Sequence, residues 1–475
     1  MKKMVNRLEN DGLKQDVGYS SLLFQSITHM GPGFSVLLAI PAAAAFAAGG
    51  LPLSVILAGI AILLLAMTVG QLAKKYPSAG GFYTYGSKTL GPRAGFLIGW
   101  SILLAENLTP ALGLWGVAFS AQQILALVHV NTPFWLWVIL AALFVYILMY
   151  RGVGVSMRSG VILGSIEILV FSVLALLFMA QPGSHNTLEA FTPTFAVHGW
   201  SGIFLGMIWV IFAFIGFEAV VPMAEETRQP RSFVERVLIM APVLVGVFYL
   251  LTTYAGLAQT GITHMATYNA DSWVVLSRKI SVFAEVIMLF AVLNSSIAVI
   301  NSSASAVTRV MYAMGRANAL PAVTATLHPR FKTPTVAIWF QALFSVVFAI
   351  AIGLWQGGPL NAIGWDGEIV TILVIIAYYI IGGAVSTIVA YNREFRAERN
   401  VLLHIVVPLV AIALMLLPLY ASVVPYPPYP ISLGPWIVGI WLVLGLALSY
   451  TAMSRRLTAD NIATLVPEAP EERVM

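Results

Sequence analysis

The chain has no cysteine among its 475 residues, which removes disulfides, thiol catalysis and Cys-ligated zinc or iron–sulfur centres. Charge is the second scarcity. Asp, Glu, Lys and Arg make up 9% of the sequence, against about 25% in a soluble globular protein. So few charges cannot coat a water-facing surface of this length, and 59% of the residues are hydrophobic. Most of the surface therefore faces lipid, and the chain reads as an all-α polytopic membrane protein. No Walker loop, GxSxG elbow or His/Glu cluster with metal-ligand spacing occurs, so nucleotide-driven transport, enzymatic catalysis and a resident metal or other cofactor are not expected. The opening stretch MKKMVNRLENDGLKQDVGYS is polar and mixed in charge, which reads as a tail rather than a cleavable signal.

What is abundant is apolar sequence in runs long enough to cross a bilayer, about 20 residues each. Twelve are expected, at 22–48, 52–73, 95–127, 133–150, 159–180, 201–224, 237–259, 280–312, 334–354, 368–391, 402–424 and 433–453. They are numbered here as spans 1 to 12. Spans 3 and 8 are longer than a bilayer needs, which implies tilt or extension beyond it. Of the 25 lysines and arginines, 23 fall in the two tails, in alternate connections or, for Arg309, at the adjoining end of span 8, and only Arg278 and Lys279 fall on the other side. By the positive-inside rule both termini are cytoplasmic, and the formal charge of +5 reflects this placement rather than nucleic-acid binding.

Two spans carry interruptions. In SITHMGPGFSVLLAIP, Gly31, Pro32 and Gly33 stand in the middle of span 1. Glycine costs about 1 kcal/mol and proline about 3 in a helix interior. Five spans later FAFIGFE places Gly216 among aromatic residues in span 6, with Pro222 one to two turns on. Unwound backbone is tolerated in hydrocarbon only where it lines a cavity. Breaks at matching positions of two halves point to the binding site of an inverted-repeat transporter. Freed N–H groups attract an anionic ligand group and freed carbonyls a cation. His29, Met30, Gly31, Gly33, Phe34, Phe212, Ala213, Phe214, Ile215 and Gly216 are therefore the candidate substrate-facing residues. The competing reading is that glycine and proline serve only packing and kinking.

FAFIGFEAVVPMAEETRQPR in span 6, AKKYPSAGGFYTYGSKTLGPRAGFLIGW between spans 2 and 3, and SAVTRVMYAMGRANALP at the exit of span 8 together resemble the amino acid–polyamine–organocation superfamily, in its amino acid permease-like branch. The resemblance covers nearly the whole chain. It implies two inverted five-span repeats with broken spans 1 and 6, at 21–200 and 201–392. Tails at 1–20 and 456–475 and two peripheral spans within 393–455 complete the chain. It also implies a substrate between spans 1 and 6, flanked by spans 3, 8 and 10, and rocking of spans 1, 2, 6 and 7 against spans 3, 4, 8 and 9. One departure is Pro32, where relatives that bind an α-carboxylate usually carry a small residue; proline has no N–H to offer. That keeps amines in play beside amino acids.

Ionisable residues within spans are functional candidates by default. Glu106 either binds a cationic group or pairs structurally, and its neighbour Asn107 matches a substrate-facing position by resemblance. Glu167 in span 5 either carries a coupling proton or hydrogen-bonds to unwound span 1. Glu218, directly after the second break, resembles the family's glutamate near substrate and gate. Glu225 and Glu226 beside Arg228 and Arg231 are expected to form a solvated or gating ion-pair cluster, with Phe217 packing over a ligand as a gate. Asn301 and Ser302 in the polar stretch LNSSIAVINSSASAV of span 8 either line the cavity or pack between helices. The expectation is a secondary active transporter of an amino acid or related amine, proton-coupled or exchanging, in the cytoplasmic membrane, with a small molecule and the bilayer as its partners. Its rivals are a polyamine or organic-cation importer of the same fold and a non-transporting nutrient sensor.

Overall fold

The computed structural model describes residues 13, 15, 17–150, 153–376, 385–386, 388, 399–424 and 427–450. The side chains of Arg158 and Arg231, and Lys2, Lys3, Arg7, Lys14, Arg151, Arg393, Arg396, Arg455, Arg456 and Arg473 of the basic set, lie outside that description. Among the described residues the chain is helical, with isolated bridges at Val17–Thr227 and Leu327–Pro334 and no strand. Ten helices among the described residues are long and apolar enough to cross a membrane. Phe134–Tyr150 supplies span 4 in 17 residues, about 26 Å. Span 10 begins at Pro359 rather than 368, and its later part falls largely outside the described residues. The earlier start was hidden by Gly364, Asp366, Gly367 and Glu368, which lower hydropathy while the helix continues through them.

The two long spans form the centre. Pro92–Ala126 and Val282–Arg316 are 35 residues each, about 52 Å at 1.5 Å per residue. They lie close because small residues face each other across the contact: a Cβ on Gly113 would stand 2.6 Å from the Ser296 carbonyl oxygen. Around this pair the other spans turn apolar side chains outward, among them Leu143, Phe144 and Ile147 of span 4, Leu169 and Leu176 of span 5, and Leu343 and Val347 of span 9. An apolar exterior over so many helices is a lipid-facing surface. Span 12, Leu433–Tyr450, is fastened to span 3 by a reciprocal pair: Trp100 Nε1 donates to the Trp441 carbonyl at 3.0 Å, and Trp441 Nε1 to the Trp100 carbonyl at 2.8 Å. Their rings stack at 4.2 Å. Arg278, one of the two exceptional basic residues, meets the buried Glu285 carboxylate at the start of span 8, with Nε at 2.6 Å.

Candidate functional site

Both expected interruptions are present. Span 1 runs helically over Tyr19–Met30, stops at Gly31 in the left-handed region (φ +55°), and resumes through Pro32–Phe34 into a π-turn, Ser35–Ala39. The conformation suits glycine, which has no Cβ to clash. Span 6 stops at Phe214; Ile215 is extended, Gly216 takes φ +107°, and a tight run, Phe217–Glu226, carries the chain on. A Cβ on Gly216 would collide with the His29 ring, so the two breaks lie against each other.

One hydroxyl joins them. Tyr249 of span 7 places its Oη 2.8 Å from the Ala213 carbonyl oxygen and 3.1 Å from that of Met30, the last helical residue before the break in span 1. Ser35 Oγ also donates to the Met30 carbonyl, at 2.8 Å, and Ser26 Oγ to that of Phe217, at 2.7 Å. The freed carbonyls are thus satisfied by side chains, as buried peptide groups must be. Donors are treated the same way. The Gly31 N–H goes to the Thr28 carbonyl at 3.2 Å and the Phe34 N–H to Ser295 Oγ at 3.0 Å. With Pro32 lacking an N–H, three of the four amides at this break are unavailable to an anion in this conformation.

Two small cavities flank the joint. The larger, about 20 Å³, is lined by His29, Met30, Phe34, Ser35, Thr109, Leu112, Phe212, Ile215, Val299 and Val370, so spans 1, 3, 6, 8 and 10 all reach it. The smaller, about 10 Å³, lies between Glu106 and Glu218 and is otherwise lined mainly by apolar residues of spans 3, 6 and 8 and by Gly81 and Phe82. Each has room for about one water molecule, so the site is closed. His29 stands between the two cavities, its Nε2 3.7 Å from Glu106 Oε2, and Glu218 Oε2 accepts the Gly216 N–H at 3.1 Å.

The remaining candidates take other places. Gly31 and Gly33 pack toward span 8: a Cβ would stand 2.5 Å from Val299 Cγ2 on the first, and on the second 2.9 Å from Phe171 and 3.2 Å from Ser295 Cβ. Asn107 Nδ2 donates to its own helix at Leu103, and its carbonyl accepts from Gln341 Nε2. Phe214 sets its ring 5.2 Å from Tyr249. Ser302 Oγ bonds back to Ala298, and its carbonyl accepts Gln25 Nε2 at 2.9 Å. Asn301 is half-buried, about 200° around span 8 from Val299. Glu167 is fully buried, and the side chains of Ser295 and Asn294 lie close beside its carboxylate without making a hydrogen bond of ordinary geometry to it.

Glu225 and Glu226 differ from expectation. Arg228 is exposed, and the partners come from span 8. Arg309 Nε meets Glu226 at 2.7 Å, and Arg316 grips Glu225 with two nitrogens at 2.7 and 3.0 Å. Glu226 and Arg309 are almost wholly buried. The tight run after Gly216 extends through Glu226 and turns both carboxylates inward instead of into solvent. Glu225 also accepts the Ala79 N–H from the loop after span 2. Val17 lies across the end of this run, donating to the Glu226 carbonyl and accepting from the Arg228 N–H. Ser35, Thr109, Leu112, Tyr249, Ser295, Val299 and Val370 were not foreseen. Each sits in an unremarkable apolar or serine-rich context, and only the fold brings it to the breaks.

Two interrupted spans, a closed hollow between them and buried ion pairs on one side define a membrane transporter of the broken-helix class. The chain belongs to the amino acid permease family, whose model matches residues 22–462. It is similar to the branched-chain amino acid permease BcaP of Bacillus subtilis, 28% identical over 77% of this chain and 80% of that protein. It is also similar to the low-affinity putrescine importer PlaP of Escherichia coli, 25% identical over 61% of this chain and 65% of the relative. A methylthioribose transporter of Bacillus subtilis is 26% identical over 80% and 82% respectively. These are permeases and transporters, so the protein is a multi-pass membrane transporter of a small molecule and not an enzyme.

Proposed function

We propose that this protein carries an amino acid or a related amine with an apolar body across the cytoplasmic membrane by alternating access. The observation that carries the reading is the meeting of two interrupted spans at one hollow, held together by the Tyr249 hydroxyl. Apolar side chains dominate that hollow, from Met30, Phe34, Leu112, Phe212, Ile215, Val299 and Val370, which suits an aliphatic substrate such as the branched-chain amino acids for which one relative is named. In this reading 21–200 and 201–392 are the inverted repeats, both termini are cytoplasmic, Glu225 and Glu226 gate the cytoplasmic side with span 8, and Glu167 carries a coupling proton.

A second reading, an amine without a carboxylate, is favoured by a specific observation. Of the four positions that would cradle a carboxylate, Gly31 and Phe34 have their N–H groups already bonded and Pro32 has none, while two carboxylates line the adjoining cavity. Uptake of labelled leucine and putrescine into proteoliposomes tests the proposal. Accumulation or exchange of either is the expected result; saturable binding with neither would move the protein to the sensors.

A further inference from the structure

Asp366 of span 10 is fully buried, and neither of its carboxylate oxygens has a hydrogen-bond partner. Its helix face is the one that meets the site. Val370, one turn further on, lines the larger cavity. Gly367 between them takes the edge of the Phe212 ring, where a Cβ would stand 2.9 Å from Cζ. Its depth is fixed by a chain of rings: Trp365 packs on Phe348 and Phe348 on Trp115, about 14 Å along span 3 from Glu106. Asp366 therefore lies beyond the cavity on the side away from the Glu225 and Glu226 lock.

Among the described residues the surrounding elements supply no counter-charge. Span 9 over Thr335–Trp355 holds no ionisable residue. Span 12 over Leu433–Tyr450 offers only Tyr450, and the first half of span 6, Trp200–Phe214, offers none. Span 3 holds Arg93 and Glu106; Arg93 lies over the Tyr450 ring, roughly 30 Å along the helix from Trp115. On span 10 itself Glu368 faces Gly434 of span 12, about 200° around the helix from Asp366. An ionised carboxylate without partner or counter-ion is strongly disfavoured in a low-dielectric interior. Neither cavity at the breaks is lined by Asp366, and a proton on the carboxyl itself is the neutralisation that needs no further space.

We infer that Asp366 is a proton-binding site of the transport cycle, distinct from Glu167. It holds a proton while Phe212 covers Gly367 and exchanges it with the water on that side once the ring moves away. The inference rests on the transporter reading for its role in the cycle, but not for the bound proton itself.

The bound proton is read without substrate. The sequence holds five aspartates, Asp11, Asp16, Asp271, Asp366 and Asp460, and of the two described, Asp271 and Asp366, Asp366 is the one inside a span. Infrared spectra of wild-type protein labelled with carbon-13 at the aspartate carboxyl are expected to show one isotope-shifted neutral-acid band at neutral pH, absent from Asp366→Asn. A wild-type spectrum without that band overturns the inference, even should the variant fail to fold. In proteoliposomes carrying a pH step of one unit, Asp366→Asn is expected to lose the roughly tenfold accumulation that one proton per cycle sustains, for labelled leucine or putrescine. Exchange of internal for external substrate should survive. Undiminished gradient-driven accumulation overturns the role, and so does loss of exchange together with accumulation, which marks a structural or substrate contact. If wild type moves neither substrate, the transporter reading fails while the spectrum still decides the proton.

Discussion

Tyr249 bridges two carbonyls that no helix can satisfy, and its loss tests whether the joint between the breaks matters. Removing one partner of a buried hydrogen bond costs about 1–3 kcal/mol. Tyr249→Phe is expected to lower the thermal midpoint by a few degrees and slow uptake roughly tenfold, measured on the same preparation. Wild-type uptake would detach the hydroxyl from function. Gly216→Ala places a methyl group in the His29 ring and an L-residue at φ +107°, a backbone strain of about 1–3 kcal/mol. It should abolish transport, whereas Gly59→Ala, with its nearest neighbour at 3.8 Å, should leave transport intact. Glu167→Gln should leave exchange unaffected and flatten the response of uptake to an inward proton gradient. An unaltered response would remove Glu167 from coupling. The breaks at Gly31 and Gly216 were legible because glycine beside proline or aromatic residues weakens the helix at mid-span, and the weak points recur five spans apart. Tyr249, Ser295 and Asp366 were not, because a lone tyrosine, serine or aspartate carries no periodic or motif signal; its meaning depends on which carbonyl or cavity the fold brings near.

In the transport cycle proposed above, the tight run from Phe217 to Glu226 is the element whose position decides access. At one end it leaves the break; at the other it is tied to span 8 by the Glu226–Arg309 and Glu225–Arg316 pairs and to the loop after span 2 by Ala79. Sequence spacing placed Arg228 and Arg231 nearest the two glutamates, and a helix drawn on that spacing would turn them toward solvent. The left-handed turn at Gly216 and the tighter winding beyond it re-aim them, a change of direction that local sequence does not reveal. Breaking a buried pair by neutralising one partner costs about 3–5 kcal/mol, because the other charge is stranded. The absence of native cysteine makes the consequence directly measurable. Ala219 lines the smaller cavity and is buried, so Ala219→Cys alone should resist a membrane-impermeant maleimide. Adding Glu226→Gln should raise its labelling rate about tenfold or more, from the side that bears the lock. Protection in both variants would mean that the ion pairs hold the fold together without gating it.

Across the whole molecule the two closures proposed above are unequal: paired charges and a covering chain segment on one side, an aromatic ring resting on a glycine on the other. Such asymmetry puts the decision about what is carried at the hollow itself, where apolar walls meet two nearby carboxylates and a break whose amides are largely used internally. Leucine and 3-methylbutylamine differ only in the carboxyl group, so they separate the energetics of that group from those of the aliphatic body. If the amides remain bonded as they are, the carboxylate gains at most the Gly33 N–H on entering and still sheds its water, while Glu106 and Glu218 favour the bare ammonium. The expected outcome is that 3-methylbutylamine raises the thermal midpoint at least as much as leucine and competes at least as well for uptake. A preference for leucine of about tenfold or more, worth about 1.4 kcal/mol, would require the break to release a donor on binding. The Phe34 N–H now held by Ser295 Oγ is the one positioned to turn. In that case Ser295→Ala, which frees this N–H in advance, should strengthen leucine binding and leave 3-methylbutylamine unchanged.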